Sequence, residues 1–133
     1  MDDTVSNVYY KSTVRRVGAA CEELLDGGVL ILCSAPVPEA LQDASVVHEP
    51  TVRLTGELRR GDRLWLDGRL IELVAVGERA TRNLRELGHV VVRVNAADAQ
   101  VPPGAVYGRG TLTLPETGAP LALVAGVPSR YRT

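Results

Sequence analysis

The chain has 133 residues, a length that suits one domain and is too short for two ordinary ones. Hydrophobic residues make up 45% of it and charged residues 23%, enough to fill and to cover one core. The formal net charge of −1, with no run of like charges, argues against a nucleic-acid footprint. Nothing approaches the roughly 20 apolar residues of a membrane span. The acidic, polar stretch Met1 to Asn7 is unlike a signal peptide, so a cytoplasmic protein without direct membrane insertion is expected.

Phe is absent, and the aromatics are Trp65, Tyr9, Tyr10, Tyr107 and Tyr131, so Val, Leu, Ile and Ala must fill the core. Branched Val favours strands, and 13 Gly with 8 Pro imply many turns. In chain order, a first strand is predicted over Val8 to Val17, ending at Gly18. One or two helical turns follow at Ala19–Leu25, stopped by Asp26-Gly27-Gly28. Val29–Cys33 is a short continuous apolar run, as in a strand buried on both faces. A short helix is predicted over Pro36–Asp43, with Ser34 upstream as a candidate cap and Glu39 in its first turn. Ala44–His48 returns to strand, Pro50 should interrupt its ladder or place it on an edge, and a second extended piece covers Thr51–Thr55.

The clearest local signal is Leu64-Trp65-Leu66-Asp67-Gly68-Arg69-Leu70-Ile71. Asp-Gly between two apolar runs marks a hairpin, because both turn positions favour positive φ. The returning strand is Leu70–Val76. Arg79–Leu87 has helical spacing with Gly88 as its stop, and His89–Val94 alternates as a strand. After the turn Pro102-Pro103-Gly104 come strands near Val106–Leu114 and Leu121–Val127. No sequence repeat is evident. Short, closely spaced strands with two or three short helices predict a mainly β fold, a small closed or nearly closed β-barrel. A doubly wound sheet would need longer crossover helices.

Among chemical motifs there is no Walker loop, no GxGxxG after a strand, no HExxH and no GxSxG. Cys21 and Cys33 lack CxxC spacing and read as reduced, buried thiols, and nothing in the spacing of the His and Cys residues points to a metal site. No cofactor is implied. Fourteen Arg against the single Lys11 reflect either codon bias or a preference for guanidinium forks, which suit oxyanions.

Two histidines remain. Alternation puts Val46 and His48 on one strand face, and Val47 and Glu49 on the other, so the Glu49 carboxylate points away from whatever meets the imidazole. A neutral imidazole has one free ring nitrogen that can attack phosphorus, and phosphoryl transfer asks mainly for alignment and oxyanion donors. An ordinary surface or edge-strand histidine stays open as the other reading. His89 follows the helix stop Gly88, where it could bond the last helix carbonyls or orient His48.

Ala75-Val76-Gly77 and then Asn83-Leu84-Arg85-Glu86-Leu87-Gly88-His89-Val90 resemble the glucitol/sorbitol-specific enzyme IIA component of the bacterial phosphoenolpyruvate-dependent sugar phosphotransferase system. Thr13-Val14-Arg15-Arg16-Val17-Gly18 is similar to that family's opening strand. Val46-Val47-His48 sits where the family has an apolar pair and its phosphorylated histidine. Leu54-Thr55-Gly56-Glu57-Leu58, then Gly61, is similar to the segment that follows. The resemblance implies a phosphotransferase component that accepts a phosphoryl group from HPr on His48. It would pass the group to a IIB domain for uptake of glucitol/sorbitol or a related polyol. Where some members carry a second histidine two positions on, this chain has Pro50, which leaves His89 or Arg53 as candidate assisting residues. A non-catalytic β-barrel interaction module derived from such a carrier is the competing reading, with a small ligand-binding barrel behind it. A strand edge at Pro50 would permit homo-oligomers.

Overall fold

The computed structural model describes residues 7–95 and 100–126. Its elements are β1 (Val8–Val17), α1 (Cys21–Asp26), β2 (Val29–Cys33), a 3-10 turn (Glu39–Leu41) and β3 (Ser45–Val52). There follow β4 (Arg63–Leu66), β5 (Arg69–Val76), α2 (Ala80–Leu87), β6 (Val90–Val94), β7 (Ala105–Arg109) and β8 (Pro120–Val124). The eight strands close into a barrel in the order β1-β3-β2-β6-β7-β5-β4-β8. The predicted closed barrel is therefore what the chain forms. No helix among the described residues is long and apolar enough to cross a membrane.

Strand alternation builds the interior. Tyr10, Ser12 and Val14 of β1 point inward, as do Val46 and His48 of β3, while Lys11, Arg15 and Glu49 face out. The gap enclosed among Leu32, Leu64, Leu73, Val92 and Leu121 measures about 10 Å³. One water would fill it, whereas ligand sites need hundreds of Å³, so the barrel interior is packed core and not a ligand cavity. At the β4–β5 hairpin Asp67 (φ 49) and Gly68 (φ 79) are both left-handed, and Leu66 pairs with Arg69, as the Asp-Gly signal demands.

Several expectations are corrected. The helix expected over Pro36–Asp43 shrinks to the 3-10 turn, whose N-cap is Pro38. Ser34 does not cap it, because its hydroxyl donates instead to Leu87 O at 2.9 Å. Pro50 does not end β3, but the ladder is disturbed there as expected: the register with β1 slips between Pro50 and Val52, and the side toward β2 has no pairing beyond Val47. The strand runs to Val52 with Pro50 opposite Ser12, since nothing on the β2 side needs the missing N–H. The piece expected at Thr51–Thr55 is thus only the tail of β3. Packing of α1 beside β2 leaves Val29 and Ile31 half-buried rather than fully enclosed. The strand expected to reach Leu114 stops at Arg109, and Val127 of the expected last strand lies outside the described residues.

The barrel also repeats itself where the sequence does not. β1, β2, β3 and β4 correspond to β5, β6, β7 and β8 under a pseudo-two-fold rotation. Val14 pairs with His48 and Val17 with Val46. Likewise Leu73 pairs with Gly108 and Val76 with Val106, and the register slips at the same place in both pairs. Parallel pairing of Ile31 with Ser45 is repeated by Val91 with Ala105. Loop bonds repeat too, with Gly18 N–H to Ser45 O matched by Gly77 N–H to Ala105 O. In this frame the counterpart of His48 is Gly108, and that of Ser12 is Ile71.

Candidate functional site

His48 is 1% exposed, on the inner face of β3. This corrects the surface-histidine alternative and assigns both ring nitrogens. Nε2 lies 2.7 Å from Gly88 O, and a carbonyl oxygen only accepts, so Nε2 carries the proton. Nδ1, 2.6 Å from Ser12 Oγ, therefore accepts the serine hydroxyl. Tyr10 meets the imidazole edge-on, with ring centroids 6.3 Å apart and planes at 79°.

Gly88 reaches the ring because of how α2 ends. Its φ of 63° closes the helix in the left-handed conformation, with Gly88 N–H bonded to Leu84 O. That turn aims the next carbonyls sideways out of the helix. Leu87 O accepts from the Ser34 hydroxyl, and Gly88 O accepts from His48. The segment from Asn83 to His89 is thus the device that presents a backbone acceptor to the imidazole.

A surface groove of about 500 Å³ runs beside this point, lined by Tyr10, Pro50, Arg53, Arg85, Glu86 and Gly88. Arg53, from the loop after β3, and Arg85, from α2, both face it, and among the described residues neither has an ion-pair partner. Glu86 is held by Arg82 at 2.8 Å. Glu49 points outward, as alternation requires, and is paired with Arg15 at 2.8 Å. His89 is elsewhere. It lines a separate depression with Cys33, Pro36, Leu41 and Leu87, and its side chain makes no hydrogen bond among the described residues. Its backbone N–H, not its ring, serves the helix by bonding Asn83 O. The structure thus brings Arg53 to the groove beside the site and leaves His89 apart from it. Cys21 and Cys33 are unpaired and buried, and burial pushes both thiols up, away from reactivity.

Ser12, Tyr10, Arg85 and the Gly88 carbonyl escape sequence reasoning. For Ser12 and Tyr10 a signal was present, since the alternation of β1 places both on the face of Val14. For Gly88 O there was none, because a carbonyl's direction is invisible in residue types.

Burial pushes the His48 pKa below the usual imidazole range, partly opposed by its bond to Gly88, and burial lowers His89 as well. The folded protein favours neutral rings, while the unfolded chain takes up protons from about pH 6.5 downward. The stability these rings contribute is complete above that pH. It is lost as pH falls through it toward the folded-state values. Urea midpoints are therefore expected to fall more steeply between about pH 7.5 and pH 5 in the wild type than in a His48→Gln variant. Equal slopes would show that the fold does not hold His48 neutral.

Comparison with known proteins bears on the whole barrel. The family described as the PTS system glucitol/sorbitol-specific IIA component matches residues 9–119. The chain belongs to this family. Glucitol/sorbitol-specific EIIA components of Shigella flexneri and Escherichia coli (strain K12) are each 33% identical over 103 residues, covering 77% of this chain and 83% of the relative. A crystal structure of a PTS system IIA component from Enterococcus faecalis V583 superposes with a TM-score of 0.75 at 21% identity. That alignment covers 86% of this chain and 99% of the other, and it supports the fold. This IIA component is accordingly a member of a phosphotransferase system, and the matched span contains His48, Arg53 and the whole α2–β6 turn.

Proposed function

We propose that this IIA component is a phosphoryl relay. His48 accepts the group from phospho-HPr and passes it to a IIB domain, serving the uptake of glucitol/sorbitol or a related polyol. The observation that carries the reading is the setting of His48. A single imidazole is held in one tautomer by Gly88 O and Ser12, next to a groove with two guanidinium groups that have no ion-pair partner among the described residues. Neutral imidazole is the nucleophilic form. Arg53 and Arg85 offer planar forks to the oxygens of an incoming phosphoryl group, and transfer asks for little beyond alignment and such donors. The names of the relatives supply the polyol and the system. Partner interfaces below about 1,200 Å² fit a carrier that must release after each transfer. The work is cytoplasmic, where the phosphoenolpyruvate-dependent donors are.

The resting site is closed. An imidazole 1% exposed cannot meet a partner's phosphohistidine at the roughly 3–3.5 Å of a near-attack arrangement. A dianionic phosphoryl group without donors would also be costly there. Docking of HPr must therefore move the Gly88 turn off the ring, which brings the imidazole to the groove.

The test is acid-labile labelling from phosphoenolpyruvate through enzyme I and HPr. Wild-type protein is expected to gain one phosphoryl group and His48→Ala none. Labelling of His48→Ala at the wild-type level would overturn the relay. Failure of the wild type to label while it still binds a partner would favour the non-catalytic module.

A further inference from the structure

We propose that Ser12 is the positioning residue for the phosphoryl acceptor, holding Nδ1 in either tautomer so that Nε2 can be released to the groove. The inference rests on the reading of His48 as acceptor. It begins from an inconsistency in the resting geometry. Nε2 is the nitrogen beside Gly88, a residue of the groove wall, yet it carries the proton and has no lone pair to offer. The free lone pair is on Nδ1, which points at Ser12 on the inner face of β1, where Ser12 is 3% exposed. No phosphoryl donor can approach from there. Attack through the groove therefore needs the ring proton on Nδ1.

The two partners respond differently to that exchange. Gly88 O is an acceptor only and must part from a deprotonated Nε2. A serine hydroxyl both donates and accepts, so Ser12 Oγ donates to bare Nδ1 in the resting state and accepts from Nδ1–H in the active one. When it accepts, its own proton needs a new acceptor. Tyr10 is the group to supply one: it shares the inner face of β1 with Ser12, and its buried hydroxyl has no hydrogen-bond partner among the described residues. Water exchanges the ring proton, Nε2 giving one up and Nδ1 taking one, with no change of charge. The Nε2 lone pair then forms the new N–P bond as the donor's N–P bond breaks and returns its electron pair to the donor nitrogen.

The pseudo-two-fold barrel carries an internal comparison. Where β7 has Gly108 in place of His48, β5 has Ile71 in place of Ser12, and the Ile71 methyl Cγ2 fills the space a Gly108 side chain would enter. In the half without the imidazole the hydroxyl is gone too. Bulk alone, as the structural need at this position, is met by isoleucine; serine is present in the half that has a ring to hold.

Phosphoryl uptake from phospho-HPr and the ¹⁵N shifts of the His48 ring would be recorded for wild type, Ser12→Ala, Ser12→Thr and His48→Ala, with folding checked in the same spectra. Misplacing a reacting group can cost about 10²-fold, so Ser12→Ala is expected to accept phosphate roughly 10- to 100-fold more slowly. Its ring shifts should move, and Ser12→Thr, which keeps the hydroxyl, should return both toward wild type. A folded Ser12→Ala protein with wild-type rate and ring shifts overturns the inference. So does a folded Ser12→Thr protein as slow as Ser12→Ala. Labelling that survives His48→Ala instead overturns the acceptor reading beneath it.

Discussion

Asp62→Ala is expected to unfold at a much lower temperature than the wild type, by about 4 kcal/mol, or roughly 15 °C in Tm. Asp62 is 1% exposed, and its carboxylate joins parts of the barrel that are distant in sequence. Oδ2 accepts the Tyr9 hydroxyl at 2.6 Å and the Arg59 N–H at 3.0 Å, while Oδ1 accepts the Gly126 N–H at 3.0 Å. The backbone of Asp62 meanwhile receives Leu73 N–H of β5 at 2.8 Å. Alanine would strand two backbone donors and a phenol with no acceptor, and each such loss costs about 1–3 kcal/mol. Asn should fall between, because its oxygen replaces one carboxylate oxygen and its amide confronts donors with donors. Tyr9→Phe should lose about 1 kcal/mol. Thermal unfolding followed by circular dichroism orders the three. An Asp62→Ala midpoint equal to that of Tyr9→Phe would show that the backbone donors find other partners.

Much of the barrel was legible because its strands are short, branched and bounded by turn residues. The Asp67-Gly68 hairpin and the Gly88 stop could be placed from residue chemistry alone, since both require positive φ. At Pro50 the proline signalled a disturbed ladder, and what residue types could not show is that the strand continues through it to Val52. In a barrel a strand can lose its neighbour partway along, and β2 ends opposite Val47, before the missing N–H matters. The internal two-fold was illegible for a different reason. It is conserved in register and loop hydrogen bonds, whereas the side chains at corresponding positions, such as His48 and Gly108, have diverged.

At the site, sequence supplied the imidazole and its strand face but not its depth. Alternation says only that Val46 and His48 share a side. That the side is the barrel interior, with the ring capped by a backbone carbonyl, depends on the C-terminus of α2 arriving from some forty residues away. Arg53 could be named as a candidate, but its neighbour in the groove, Arg85, looked like one more charged position on a helix. His89 illustrates the opposite error, since adjacency to Gly88 in sequence puts its backbone at the turn and its ring in a different depression.

The turn at Gly88 is the place where fold and site share one residue, and Gly88→Ala should affect both. An L side chain at φ 63° costs about 1–2 kcal/mol. A Cβ there would also sit 2.2 Å from Ser34 Oγ and 2.5 Å from Ser34 Cβ. Ser34 cannot step aside cheaply, because its hydroxyl is bonded to Leu87 O and its backbone N–H reaches the same carbonyl. The turn must shift instead, drawing Gly88 O away from Nε2. A total loss of about 3 kcal/mol is expected, together with a change in the His48 ring shifts toward a mixture of tautomers. Ser34→Gly removes the two nearest obstructing atoms, Oγ and Cβ, but leaves the Ser34 backbone N at 3.0 Å and the backbone strain. The double variant should therefore recover part of the stability lost by Gly88→Ala, a coupling of about 1 kcal/mol in a double-mutant cycle. If the two substitutions simply add, the clash with Ser34 is not what Gly88 avoids, and the requirement for glycine rests on its left-handed backbone alone.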